Sequence, residues 1–148
     1  MTTIKVPARF VPYLQSAAVY TLREEADRTH EREVALRQAE SGPESKLGLA
    51  KEELANVRPF LDRVIPLAQS ILALPVGEDA EFEDEPELAY YVFHNMASKI
   101  IGPQLAAKLE YLPMPPEVPA LAEALGWAAA ESVRLEDERV ADTEAVAA

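Results

Sequence analysis

The sequence predicts an all-α protein, a bundle of four to five helices with a short extended arm before the first helix. Apolar residues recur at the helical period through most of the chain, and prolines and glycines cut it into segments with short connections. The chain has no cysteine, so its stability comes from packing rather than from disulfides. Its 148 residues suit one core. We therefore predict a single helical domain over residues 1–148.

The first helix is predicted over residues 12–40 and ends at the Ser-Gly-Pro of residues 41–43. Residues 1–9 precede it as an extended arm or a short strand, because apolar and polar side chains alternate there. The apolar stripe of this helix nearly disappears over residues 23–33. That gap predicts a solvent-exposed middle.

The second helix is predicted over residues 45–74, although it contains Pro59 and Pro66. The apolar stripe keeps its phase through both prolines, and the prolines lie together on the opposite face. We therefore predict one bent helix rather than two. The stripe consists of Ala50, Leu54, Val57, Leu61, Val64, Ala68, Ile71 and Leu72.

The remaining chain alternates between loops and helices. An acidic loop over residues 78–87 holds seven acids and no base. It leads into a helix predicted over 84–101 and a shorter one that ends at Leu112, followed by a proline-rich connector over 113–119. The last helix starts near Pro119 and is predicted to pack through Leu121, Ala124, Leu125, Ala128 and Leu135. We predict that it frays over residues 136–148, which are charged and rich in alanine.

The charge balance excludes several classes of partner. Lys and Arg number 14 against 26 Asp and Glu, a formal net charge of −12. This charge opposes binding to phosphate backbones and anionic lipids, so we predict no nucleic-acid and no membrane partner. A strand followed by helices is also the layout of ribbon-helix-helix repressors, but Lys5 and Arg9 supply too little positive charge there. No apolar run reaches the roughly 18 residues of a membrane helix, and we predict a cytoplasmic protein.

Histidine 30 follows Asp27 at the spacing of two metal ligands on one helix face. Di-iron carboxylate bundles use such pairs, with the ligands pointing inward. His30 instead lies more than about 90° from the apolar stripe, between arginines that repel a cation. We therefore predict that this face is solvated.

A second polar face combines Glu87, Tyr91, His94 and Ser98 on the third helix. A histidine beside a carboxylate and a phenol can act as a general base or a ligand, because its pKa is near neutrality. His94, Glu87 and Tyr91 are therefore the catalytic candidates. The same face is equally typical of the polar rim of a helix or of a subunit interface.

Carboxylates on the second helix supply the metal candidates Glu52 and Glu53, with His94 as a third. The run from Glu52 to Asn56 resembles the Glu-Glu-x-x-Glu motif of MazG-type nucleotide pyrophosphohydrolases, which hold magnesium. It departs from that motif at Asn56, where the metal needs a carboxylate. The matching Glu-x-x-Asp, residues 81–84, lies in the acidic loop.

Two aromatic residues are candidates for a protein interface. Trp127 lies about 120° from the centre of its helix's apolar stripe, on a partly polar flank. Phe82 lies in the middle of the acidic loop. Tryptophan on a polar flank is typical of contact anchors and of the edge of a core.

These observations favour a non-catalytic helical interaction or regulatory protein that forms a homodimer or binds another protein. We predict that it needs no cofactor. The alternative is a metal-dependent all-α enzyme that holds Mg, Mn or Fe by carboxylates, like the nucleotide pyrophosphohydrolases or the ferritin-like proteins.

Overall fold

The computed structural model describes residues 1–111 and 113–147 and confirms the predicted all-α class. Helices make up 78% of the described residues, with a short pair of strands beside them. The elements are β1 (Thr2–Val6), α1 (Val11–Ala39), α2 (Glu44–Leu72), β2 (Ala80–Asp84), α3 (Pro86–Asn95), a π-helical segment (Met96–Ile101), α4 (Gly102–Lys108) and α5 (Val118–Ala147). Within the described residues, no helix is long and apolar enough to cross a membrane.

The two prolines of α2 do not interrupt it, as their position on the helix predicted. Pro59 and Pro66 lie inside one continuous helix and are both exposed. Each removes an N–H donor, which leaves a carbonyl without a partner one turn earlier, at Ala55 and Asp62. Those residues are exposed as well, so water can hydrate the freed carbonyls. Leu72 is an exception to the predicted stripe, because the helix ends there and leaves it 45% exposed.

The acidic segment forms a strand where we predicted a loop. β2 pairs antiparallel with β1, so that Ile4 lies opposite Phe82 and Lys5 opposite Glu81. Ile4, Val6 and Phe82 are buried. Glu81 and Glu83, on either side of Phe82, are exposed. The pairing joins residues nearly eighty positions apart, which local alternation in either segment does not reveal.

The third helix continues beyond its predicted end at residue 101. α3, the π-helical segment and α4 follow one another without a gap, and the Gly102 N–H donates to the Ala97 carbonyl five residues back. A Cβ on Gly102 would lie 2.8 Å from that oxygen. Glycine is therefore needed where the helix returns from π to α geometry. The predicted end of the shorter helix, Leu112, lies outside the described residues.

The core combines both strands with the first half of α1, the second half of α2, α3, the π-helical segment and α5. Of the five residues predicted to pack from α5, Leu121, Ala124, Ala128 and Leu135 are buried in it, and Leu125 is partly buried against it. α5 is helical to Ala147, and its residues 141–147 are exposed. Fraying from residue 136 onward stays a prediction.

Candidate functional site

The outer parts of α1 and α2 form a two-helix extension that we call the distal hairpin, residues 26–59. It begins beyond Glu25 and ends before Phe60, both of which contact Tyr91 of α3. Along the distal hairpin, all of which the structure describes, only Thr29 and Ala50 are buried. Helices packed on both sides would bury a residue on nearly every turn. The distal hairpin therefore leaves its apolar side chains half-covered.

One side of the distal hairpin is concave and apolar, and we call it the hairpin face. It encloses a cleft of about 370 Å³. The residues that line this cleft are Ala35, Gln38, Ala39, Lys46, Leu49, Ala50 and Glu53. Leu49 is 56% exposed although it lies among alanines. A leucine in this setting is available to pack against a second surface.

An ion pair between the two helices fixes which residues of the hairpin face lie level with one another. Arg32 of α1 lies 3.0 Å from Glu53 of α2. Because the helices are antiparallel, moving three residues along each brings Ala35 level with Ala50. Small side chains therefore occupy the same level on both helices at the centre of the hairpin face. Small residues let another helix approach closely.

Charge divides the distal hairpin from the rest of the chain. The distal hairpin holds six basic and seven acidic residues, whereas the rest of the chain holds eight basic and nineteen acidic residues. The hairpin is thus close to neutral, and nearly all of the net −12 belongs to the remaining residues. A protein surface that approaches the distal hairpin meets charges of both signs.

A partly buried polar cluster lies where the distal hairpin leaves the core, and we call it the base cluster. Its members are Thr21, Glu24, Glu25, Arg28 and Thr29 of α1 with Tyr91 and Asn95 of α3. The Tyr91 hydroxyl lies 2.9 Å from Glu24 Oε2 and 3.2 Å from Glu25 Oε1. Arg28 donates to Glu25 Oε1 at 3.0 Å.

The second part of the base cluster is a short hydrogen-bond chain. Asn95 Nδ2 donates to Thr21 Oγ1 at 3.0 Å, and the Thr21 hydroxyl donates to the Ala17 carbonyl at 2.8 Å. All three residues are buried. These hydrogen bonds therefore tie the end of α3 to α1 with a fully buried polar contact.

Two buried oxygens of the base cluster have no partner within the described residues, Glu25 Oε2 and Thr29 Oγ1. Glu25 is fully buried, and Thr29 is 5% exposed. Burial, together with the hydrogen bond to Glu24, raises the pKa of Tyr91 to about 12. The phenol therefore keeps its proton and donates to the carboxylates at neutral pH.

The base cluster corrects the predicted solvent-exposed middle of the first helix. Glu25 and Thr29 follow Thr21 at intervals of four, so the buried stripe continues with polar residues in apolar positions. The predicted stripe contained apolar residues only and therefore left out these two polar positions. Helical phase alone would have marked both positions as facing the core. His30, by contrast, is exposed, as we predicted.

The catalytic candidates on α3 are not brought into one site. Glu87 is exposed and lies 3.7 Å from Arg63. Tyr91 turns toward Glu24 and Glu25. His94 is exposed and stacks against the ring of Tyr90, 5.9 Å away. Glu87 and Tyr91 both line a cleft of about 340 Å³, but His94 does not line it, so the three candidates do not meet at one site.

The metal candidates also lie apart in the described part of the chain. Glu52 is exposed, and Glu53 binds Arg32 across the distal hairpin. His94 belongs to α3. Among residues 1–111 and 113–147, no group of three or more acidic or histidine side chains is arranged to hold a metal ion.

The two aromatic interface candidates are both held by the core. Trp127 is half-buried and stacks on Phe10 at 4.9 Å and against Phe93 at 5.1 Å. Its remaining surface lines a cleft of about 680 Å³ beside β1 and β2. Phe82 is buried opposite Ile4, so it is not the free anchor of a loop that we predicted. β2 carries it into the core.

Comparison of the chain with protein-family models, with curated protein sequences and with solved structures found no significant match.

Proposed function

We propose that the protein is an interaction protein that binds another protein through the hairpin face. The observation that carries this proposal is the exposure of Leu49 at the centre of a concave apolar surface on the distal hairpin. The core of the chain ends at the base cluster, yet α1 and α2 each continue beyond it for several turns. Those turns bury little within the chain, so they add little to its stability.

The construction of the distal hairpin favours a protein partner over a small molecule. Its cleft is shallow and runs along two helices, which suits the side chains of another helix. Its charges are of both signs, which can pair with the charges of another protein surface. The ion pairs Arg32 to Glu53 and Arg58 to Glu33 join the two helices and hold the surface in shape.

The proposal is tested by site-specific photocrosslinking in the native cells. A photoreactive amino acid replaces Leu49 on the hairpin face, and Val133 on α5 serves as the matched control. Val133 is 62% exposed and also helical, but it lies outside the distal hairpin. We expect a discrete protein adduct from position 49 and none from position 133.

The crosslinking result either supports or contradicts binding through the hairpin face. An adduct at position 49 alone supports binding through the hairpin face, whichever protein is captured. The absence of an adduct at position 49, or equal adducts at both positions, contradicts the proposal. Circular dichroism of both labelled proteins confirms that each retains its helices.

A further inference from the structure

We infer that the partner of the hairpin face is a second copy of this chain, packed antiparallel so that two distal hairpins form a four-helix bundle. This inference rests on the proposed function. Two-helix hairpins bury one stripe each, and pairing two of them covers the second stripe. The hairpin face is self-complementary, as a two-fold symmetric interface requires.

The self-complementarity lies in the order of residues along α2. Lys46 and Glu53 flank Leu49 and Ala50 on the hairpin face. Antiparallel packing about a two-fold axis between Leu49 and Ala50 places Lys46 of each copy opposite Glu53 of the other. The two leucines then meet near the axis. Ala35, level with Ala50, lets the α1 helices approach at the same height.

The charge distribution selects this surface over the others. The chain outside the distal hairpin has nineteen acidic against eight basic residues, so two copies repel one another wherever those surfaces face. The distal hairpin is nearly neutral and brings six basic residues. A second copy is therefore least repelled when the two hairpins meet and the acidic parts point away from each other.

The apolar contact and the charges contribute differently to such a dimer. Leu49 of both copies leaves water, which supplies most of the attraction. Pairs between Lys46 and Glu53 stay at the rim, where exposed ion pairs add little affinity but select the orientation. The hairpin face is about 20 Å long, judged from the helical rise over residues 44–59. An interface this small is typical of weak, transient association.

The first test measures oligomeric state by sedimentation velocity of the purified protein from nanomolar to high micromolar concentration. We expect a reversible monomer and dimer. Leu49→Glu is expected to weaken the dimer about 100-fold or more, because two apolar contacts are lost and two charges are buried. The control Val133→Glu adds the same charge to an exposed helical position and is expected to leave the dimer unchanged.

The second test exchanges charges to check the antiparallel arrangement. Lys46→Glu alone and Glu53→Lys alone each place like charges opposite one another in the dimer, so each is expected to weaken self-association. Because Glu53→Lys also breaks the pair with Arg32 inside the hairpin, thermal unfolding first confirms that this variant keeps its fold. An equimolar mixture of the two variants restores both opposite-charge pairs. We expect the mixture to form a heterodimer more strongly than either variant forms a homodimer.

The outcomes of these experiments test the homodimer, its antiparallel arrangement and the proposed function separately. A wild-type chain that stays monomeric at all concentrations, or a dimer insensitive to Leu49→Glu, overturns the inference. A mixture no tighter than its components overturns the antiparallel arrangement. Crosslinking at position 49 to a different protein while the purified chain stays monomeric overturns the inference and leaves the proposed function supported. Crosslinking at position 49 that captures nothing contradicts the proposed function itself.

Discussion

The hydroxyl group of Tyr91 lies 3.2 Å from a carboxylate oxygen of Glu25, a fully buried side chain. This contact joins α3 to α1 at the point where the distal hairpin leaves the core. The same hydroxyl also binds Glu24. The base cluster therefore links α3 to α1 through this phenol, in addition to the hydrogen bond from Asn95 to Thr21.

Removing that hydroxyl should destabilise the fold. Tyr91→Phe leaves Glu25 without this donor, and we expect the free energy of unfolding to fall by about 1–3 kcal/mol. Urea denaturation followed by circular dichroism measures the change. Tyr111→Phe is the control, because that tyrosine is 63% exposed and its loss should change stability by less than about 0.5 kcal/mol. Equal effects of the two substitutions would argue against a structural role for the base cluster.

Alkaline pH should destabilise the protein through the same tyrosine. Its pKa is raised from 10.0 to about 12 by burial and by the neighbouring carboxylates. Between these values the unfolded chain has lost the proton and the folded chain still holds it. Because the unfolded state binds fewer protons there, the free energy of unfolding falls as pH rises through this window.

Urea denaturation on both sides of pH 10.0, the unperturbed value for tyrosine, tests this dependence. In Tyr91→Phe the decline should be smaller than in the wild type. Ultraviolet difference absorbance should also show one tyrosine fewer titrating near 12 in the folded variant. If both proteins lose stability equally with pH, another group causes the effect.

Two isosteric substitutions on α1 should change stability in opposite directions. Thr29→Val removes a buried hydroxyl that has no partner within the described residues, so we expect a gain of about 1 kcal/mol. Thr21→Val removes the acceptor of the buried Asn95 amide, so we expect a loss of about 1–3 kcal/mol. Thermal unfolding of both variants beside the wild type measures the sign. A loss of stability in Thr29→Val would mean that its hydroxyl is bonded in solution.

Two glycine substitutions should separate the π-helical segment from an ordinary helix. In Gly102→Ala the new Cβ meets the Ala97 carbonyl at 2.8 Å, so we expect a loss of about 1–3 kcal/mol. Gly126→Ala in α5 meets nothing within 4 Å and should stabilise the helix by about 0.5–1 kcal/mol. Denaturant unfolding compares the two. A neutral Gly102→Ala would show that the segment shifts to α geometry without cost.

The local periodicity of the sequence predicted the helices well. The bounds of α1 and α2 agree with the prediction within about two residues at each end, and Pro59 and Pro66 lie within a continuous helix, as the phase of the stripe indicated. Periodicity succeeds here because side chains three or four residues apart always lie on the same face of a helix. The buried residues of α5 were found for the same reason.

Local periodicity did not predict which distant segments contact one another. The register of β1 on β2, with Ile4 opposite Phe82, depends on which segments meet in space. The burial of Phe82 follows from that pairing, so the residue that looked like a surface anchor belongs to the core. A short alternating segment does not specify its partner.

The sequence by itself determined the fold class, the run of α2 through its prolines and the exposure of His30, because each follows from the phase of residues along one helix. Only the tertiary structure decided that Glu25 is buried beneath Tyr91 and that Leu49 stays exposed on the distal hairpin. Phase shows which side of a helix faces inward. How far along the helix other elements cover that side is set by packing, which covers α1 and α2 near the core and leaves the distal hairpin open.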